Sequence, residues 1–320
     1  MDVSVNQSVL ALVWDGICKL PSELQPPRQQ RINWALSAQE TWNEYQQKKN
    51  ALEYIISVCN NNDIKLLLLK GIDLSLLYPK PESRSAGDID IYLFDDYAKG
   101  NALFSQSLVS EIGKHSTLQV KGVTVENHRN FLEPNTRQKR EVINYLKGSL
   151  ANVQLKLGGY YVMSPIPNMV FITFHTLKHF FNGTHIPLRN ILDFALFLMG
   201  NKESLPPHEC RNALEKLQLL EGFEWLVCLS EWILGKRIED YHFVTLPSDY
   251  LVQMKDILYT GYMVQDVEQH EKHILRLTSR YIPTNIPWSL KKGLIQLLKG
   301  MLQVPDNRSL RSFFSISKNS

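Results

Sequence analysis

Apolar and polar positions repeat with two different periods along the chain, and the changes of period mark the elements. Between Gln39 and Asn60 the apolar residues Trp42, Tyr45, Leu52, Ile55, Ile56 and Cys59 recur near every 3.6 positions with charges between them, which predicts a helix. The polar run from Asn60 to Asp63 ends it. Pro21, Pro26 and Pro27 break anything before it, so residues 1–62 read as a helical segment. Ile64 to Leu69 is a short apolar run bounded by turn signals, the pattern of a buried strand. Lys70 and Gly71 follow directly, and Ile72 to Tyr78 reads as a short helix stopped by Pro79 and Pro81. After a polar loop, Asp88 to Phe94 alternates acid and apolar, a strand with Asp88 and Asp90 on one face. Asp95 and Asp96 then suit the start of a helix running to about Ile112.

Alternation returns at Gly122 to Asn130, with Thr124, Glu126 and His128 sharing a face. Residues 152–163 place Gly158 and Gly159 between two β-type runs, which predicts a hairpin. From Pro167 the pattern is helical almost to the end. The expected fold is α/β: a small mixed β-sheet in residues 63–165, between the N-terminal helices and a larger C-terminal helical domain, 166–320. No Gly/Ser-rich linker and no internal repeat interrupts this order.

Composition narrows the class without naming a function. Of 320 residues, 44% are hydrophobic and 21% charged, a balance that excludes wholesale disorder. A formal net charge of +3 gives no ground for a nucleic-acid partner. Cys18, Cys59, Cys210 and Cys228 lie far apart, without the paired spacing of a zinc knuckle or thioredoxin-type site, and read as free thiols of a reducing compartment. No apolar run approaches the ~18–20 residues that span a bilayer, and the first residues lack the basic start of a secretory signal. A cytoplasmic protein is expected.

The informative chemistry is the pair Asp88 and Asp90. Carboxylates at i and i+2 of a strand point the same way, and their repulsion needs a cation to offset it. Magnesium or manganese, which take carboxylate and phosphate oxygens, suit that need. A solvated strand face or a charged sheet edge would show the same two acids. The surroundings favour a phosphate ligand. Gly71 lets backbone approach a phosphate at a strand-to-helix turn, Lys70 stands beside it, and Arg84 and Ser85 offer a guanidinium and a hydroxyl. Glu126 is placed to supply a third carboxylate from a second strand, and three such groups can hold two metal ions for an in-line phosphoryl displacement.

Four blocks in order carry a family resemblance: Leu68 to Asp73 with Tyr78, Pro79 and Arg84; Gly87 to Leu93; Thr124 to Arg129; and Phe174 to Phe180 with Arg189 to Asp193. Over roughly residues 50–240 the chain resembles the uncharacterised nucleotidyltransferase family of the DNA polymerase β-type superfamily. The resemblance implies a sheet of nucleotidyltransferase type and metal-dependent transfer of a nucleoside monophosphate from an NTP to a hydroxyl acceptor. Asp88, Asp90 and Glu126 would be the catalytic acids and ligands of Mg²⁺ or Mn²⁺. Lys70, Gly71, Arg84, Ser85, Lys178 and His179 would contact the nucleotide. Lys70 and Gly71 stand where the wider superfamily has a Gly-Gly or Gly-Ser loop. Kinase-like phosphoryl transfer on the same site, or a silent nucleotide-binding or interaction protein on the same fold, are the alternatives.

His175 and His179 share a helix face. With Asp193 they fit a zinc site, a buried hydrogen-bond network, or, through Lys178 and His179, substrate contact. Residues 289–299 form a basic amphipathic stretch, read as a packed terminal helix or a membrane-surface helix. Residues 308–320 read as a loosely ordered tail.

Overall fold

The computed structural model describes residues 4–5, 7–85, 87–181 and 186–246, with the side chains of 179–181 excepted. The expectations for residues 289–299, for the tail and for the rest of the C-terminal region beyond residue 246 lie outside the described residues. The architecture is mixed α/β, a seven-stranded mixed sheet with helices around it. Helix α1 (Leu10–Ile17) packs on α2 (Arg28–Asn60) through Leu10, Ala11 and Ala38, with Trp14, Trp34 and Trp42 against them. The second helix begins directly after Pro26 and Pro27, one turn-breaking pair upstream of the periodic stretch, and runs 33 residues.

The strands are β1 (Leu67–Leu68), β2 (Ile89–Tyr92), β3 (Leu108–Ile112), β4 (His115–Val120), β5 (Val123–His128), β6 (Gln154–Leu155) and β7 (Tyr161–Val162). Their spatial order is β3-β4-β5-β2-β1-β7-β6. The pairs β2/β5 and β1/β7 are parallel and the others antiparallel. The strand expected over Ile64 to Leu69 is buried throughout except at Lys65, but only its centre forms a ladder. The hairpin expected over residues 152–163 is β6/β7.

One expected helix is mostly absent. Helix α4 (Tyr97–Leu103), which follows the single turn α3 (Ile72–Ser75), stops after seven residues, and Leu108–Ile112 is strand instead. The cause is local turn chemistry. Gly113, at φ +63°, opens the two-residue link that pairs Ile112 with His115, as a type II′ hairpin asks of its first central residue. Lys121 and Gly122, both at positive φ, link β4 to β5 through a second two-residue turn, of the I′ pattern. These tight hairpins recruit the residues after Leu103 into the sheet.

One face of the sheet is sealed by α2. Leu52, Ile55, Ile56 and Cys59 pack on Ile89, Ile91, Leu93, Leu118, Val120, Val123 and Val125. The other face carries Leu67, Leu69 and Tyr92 into a larger core with α5 (Arg137–Gly148), α6 (Pro165–Phe181), α7 (Leu188–Gly200), α8 (Pro207–Lys216) and α9 (Leu220–Leu234). Between these cores the second face is left polar, and it holds the site. All four cysteines are unpaired thiols.

Ile55, fully buried on α2, is the test of that seal. Ile55→Ala is expected to cost about 2–5 kcal/mol through lost transfer energy and a cavity, measured by urea unfolding. A loss below about 1 kcal/mol would mean that α2 is not the lid of this face.

Candidate active site

The parallel pairing of β2 with β5 puts Asp90 directly opposite Glu126 and Tyr92 opposite His128. Asp88 lies two residues before Asp90, so all three carboxylates emerge from the same face, and one oxygen of each lies within 4.8 Å of the others. The cluster comes from the alternation in both strands together with an in-register pairing that neither strand alone specifies.

Cations hold the cluster. The Lys70 ammonium donates to Asp90 Oδ2 and lies 3.7 Å from Asp88 Oδ1. His128 Nε2 lies 2.9 Å from Asp90 Oδ1 and 3.2 Å from Glu126 Oε2, while its Nδ1 faces the Asn130 carbonyl at 3.3 Å. Acceptors at both ring nitrogens favour the imidazolium. Burial opposes charge on His128, but the hydrogen bonds to Asp90 and Glu126 outweigh it and raise its pKa. Burial likewise works against ionised Asp90, 1% exposed, yet Lys70's charge and the His128 hydrogen bond hold its carboxyl far below the usual range. Glu126 is lowered too: burial is outweighed by the His128 hydrogen bond, and His115 Nδ1 and Lys114 Nζ stand 3.3 Å and 3.9 Å from its Oε2. Asp88 goes the other way, raised by burial and by the charge of Asp90.

Gly71 has φ +80° and ψ −107°, and a Cβ there would meet only the Asp88 carbonyl at an ordinary 3.6 Å. The glycine therefore serves the backbone conformation. It lets the chain turn from β1 so that Lys70 points back at the acids. Lys70 thus sits on the carboxylates, beside the place expected for phosphate.

Arg84 is 3% exposed and committed by two of its nitrogens to Asp193: Nε donates to Oδ1 at 2.7 Å and Nη2 to Oδ2 at 2.6 Å. The Tyr78 hydroxyl donates to Asp193 Oδ1 at 2.7 Å. Asp193 is therefore engaged in a buried salt bridge, which takes it from the zinc reading; the His179 side chain lies outside the described residues. The loop before Arg84 is pinned to the N-terminal helices. Asp15 accepts from Lys80 and Ser83, each at 2.6 Å, and Trp42 Nε1 donates to Ser83 Oγ at 3.1 Å. The Ser85 carbonyl accepts from Arg189 Nη1 at 3.1 Å. Lys178 stands on α6, near enough for its charge to depress that of Lys114.

A cleft joins these parts, lined in part by Lys70, Gly71, Arg84, Asp88, His175 and Arg189. His128 and His115 had no role in the sequence reading. The alternation that put His128 on Glu126's face was the available signal; His115 reaches the site through the turn after β3, the strand that stands where a helix to about Ile112 was expected.

A family model described as "uncharacterised nucleotidyltransferase" matches residues 1–235. The chain belongs to that family. The match takes in α1 to α9 and the whole sheet, so every residue of this nucleotidyltransferase-family site falls inside it. Membership fits an enzyme that transfers a nucleotidyl group. Neither a curated protein nor a solved structure matches the chain. Among the described residues no helix is long and apolar enough to cross a membrane.

The raised Asp88 pKa gives a pH test in protein treated with EDTA. A carboxyl with a raised folded pKa has its full stability below the unfolded value of ~3.9 and loses it as pH rises through the folded value. Asp88→Asn removes one repelling charge at nearly constant shape. It is expected to raise the melting temperature at neutral pH, with the advantage shrinking towards pH 4. A pH-independent difference, or a destabilised variant, would mean that Asp88 is not crowded by its neighbours.

Proposed function

We propose that the protein transfers a nucleoside monophosphate from an NTP to a hydroxyl acceptor and releases pyrophosphate. The observation that carries this reading is the in-register facing of Asp90 and Glu126, with Asp88 beside them. The donor set suits a hard divalent cation, since all three ligating groups are carboxylate oxygens close enough to share one ion. Magnesium or manganese bound there would neutralise the phosphate chain and acidify a coordinated hydroxyl.

The chain's own groups do the rest. Lys70 and His128 keep Asp90 ionised inside a buried site, so a ligand is ready without a prior loss of a proton. Glu126, or a neighbouring carboxylate of the cluster, accepts the proton of the acceptor hydroxyl. The new bond joins the acceptor oxygen to the α-phosphorus, and the bond from that phosphorus to the bridging oxygen of the β-phosphate breaks, leaving pyrophosphate. The turn at Gly71 brings backbone close to the phosphates, and Lys178 adds positive charge at the rim; Ser85 and His179 belong to the same nucleotide-binding set. The C-terminal helices close over one side of a sheet of nucleotidyltransferase type.

The test follows radiolabelled NTPs with Mg²⁺ or Mn²⁺ and scores the product. Pyrophosphate release supports nucleotidyl transfer, and NDP release would instead make the protein a kinase. Asp88→Asn and Glu126→Gln are expected to lower turnover about 10²–10³-fold, since losing a ligand removes several kcal/mol of charge stabilisation and ~1.4 kcal/mol is tenfold. Near-wild-type turnover in both variants would end the reading. Asp90→Ala is the weaker probe, because it also strands Lys70 and His128 without their carboxylate.

A further inference from the structure

Three side chains that line one cleft carry donors with no hydrogen-bond partner among the described residues. Nη1 of Arg84, Nε of Arg189 and Nδ2 of Asn190 are buried and unpartnered, and Arg84 and Asn190 are only 3% and 5% exposed. A buried donor left unsatisfied costs about 1–3 kcal/mol, and more when charged. Three in one place therefore point to an acceptor that arrives from outside. All three residues line the cleft that also holds Lys70, Gly71 and Asp88.

Not every cation of the cleft has an ion-pair partner. Lys70 is paired with Asp90 and Asp88, and Arg84 with Asp193. Arg189 forms no ion pair among the described residues. Its Nη1 donates to the Ser85 carbonyl at 3.1 Å and its Nη2 to Asn190 Oδ1 at 3.5 Å. Those two bonds orient the guanidinium without neutralising it. Burial and the neighbouring charge of Arg84 both work against its cationic form, a tension that a bound anion relieves.

The geometry points to an anion site in this cleft that takes the two terminal phosphates of the nucleotide, with Arg189 as its main cation and Asn190 Nδ2 and Arg84 Nη1 as flanking donors. The identity of the anion as part of a nucleotide rests on the function proposed above; the preference for a diphosphate rests on the donors. The cleft runs from Asp88 to Arg189 and Asn190, so a phosphate chain with its first phosphate at the carboxylates extends its later ones towards the unpaired guanidinium. Donors from three residues on two segments, Arg84 before β2 and Arg189 and Asn190 on α7, can engage oxygens of successive phosphates.

The experiment titrates inorganic pyrophosphate calorimetrically into the full chain in EDTA, so that no metal bridges it to the carboxylates. Wild type is expected to bind pyrophosphate at least tenfold more tightly than orthophosphate or AMP. Arg189→Gln and Asn190→Asp are expected to weaken pyrophosphate at least tenfold, the second because a carboxylate beside Arg189 satisfies its charge internally. Asn190→Asp is near-isosteric and carries the test should Arg189→Gln fail to fold. No pyrophosphate binding by wild type, orthophosphate binding as tightly as pyrophosphate, or folded variants within twofold of wild type would each overturn the site. Pyrophosphate binding that depends on Arg189 in a protein that transfers no nucleotide would uphold the site and sink the proposed activity. Nucleotide transfer with unchanged pyrophosphate affinity in the variants would do the reverse.

Discussion

The Lys70–Asp90 contact is the interaction on which the site depends. Asp90 is buried on a sheet face that also presents Asp88 and Glu126, and an unpaired charge at such a depth is costly enough that the group would normally take up a proton. The Lys70 ammonium on one oxygen and the His128 ring on the other remove that need. The conformation of Gly71 in turn lets Lys70 reach back. Thus a glycine with positive φ, a strand-end lysine and a histidine two residues beyond Glu126 together fix the ionisation of the central acid.

The Arg84–Asp193 bridge fixes where the rest of the site stands. It ties the loop before β2 to α7, while Asp15 and Trp42 tie the same loop to the N-terminal helices. A cleft bounded by elements so far apart in sequence owes its shape to these few polar contacts as much as to apolar packing. Arg84 is half consumed by the task. Two of its nitrogens hold Asp193 and the third is left towards the cleft.

Much of this was legible in the sequence. The alternation at Asp88 to Phe94 and at Gly122 to Asn130 put the three acids on strand faces, and the polar run at Asn60 to Asp63 and the pair Gly158 and Gly159 marked an end and a turn. The strand at Leu108–Ile112 was not legible as such, because Asp95 and Asp96 looked like a helix start and the hairpin signal was a single Gly113 directly after Ile112. With that strand misread, His115 and Lys114 had no route to Glu126. The partners of Lys70 and Arg84 were hidden for another reason. Periodicity gives the face a side chain occupies but not which charge across the fold it meets, and the two residues found carboxylates 20 and 109 positions away in sequence.

The Arg84–Asp193 bridge also constrains how such a chain can change over generations. Losing either partner alone strands a buried charge, whereas replacing both with well-packed apolar residues is often neutral or stabilising. Single-step drift at position 84 or 193 is therefore steeply disfavoured, while the double exchange is open on stability grounds if the Tyr78 hydroxyl, which donates to Asp193, is exchanged with them. A lineage that made that exchange would keep the sheet and the three acids but lose a guanidinium from the cleft wall. The two positions, 109 residues apart, behave as one heritable unit, and their joint replacement would mark a descendant in which the fold has outlived this form of the cleft.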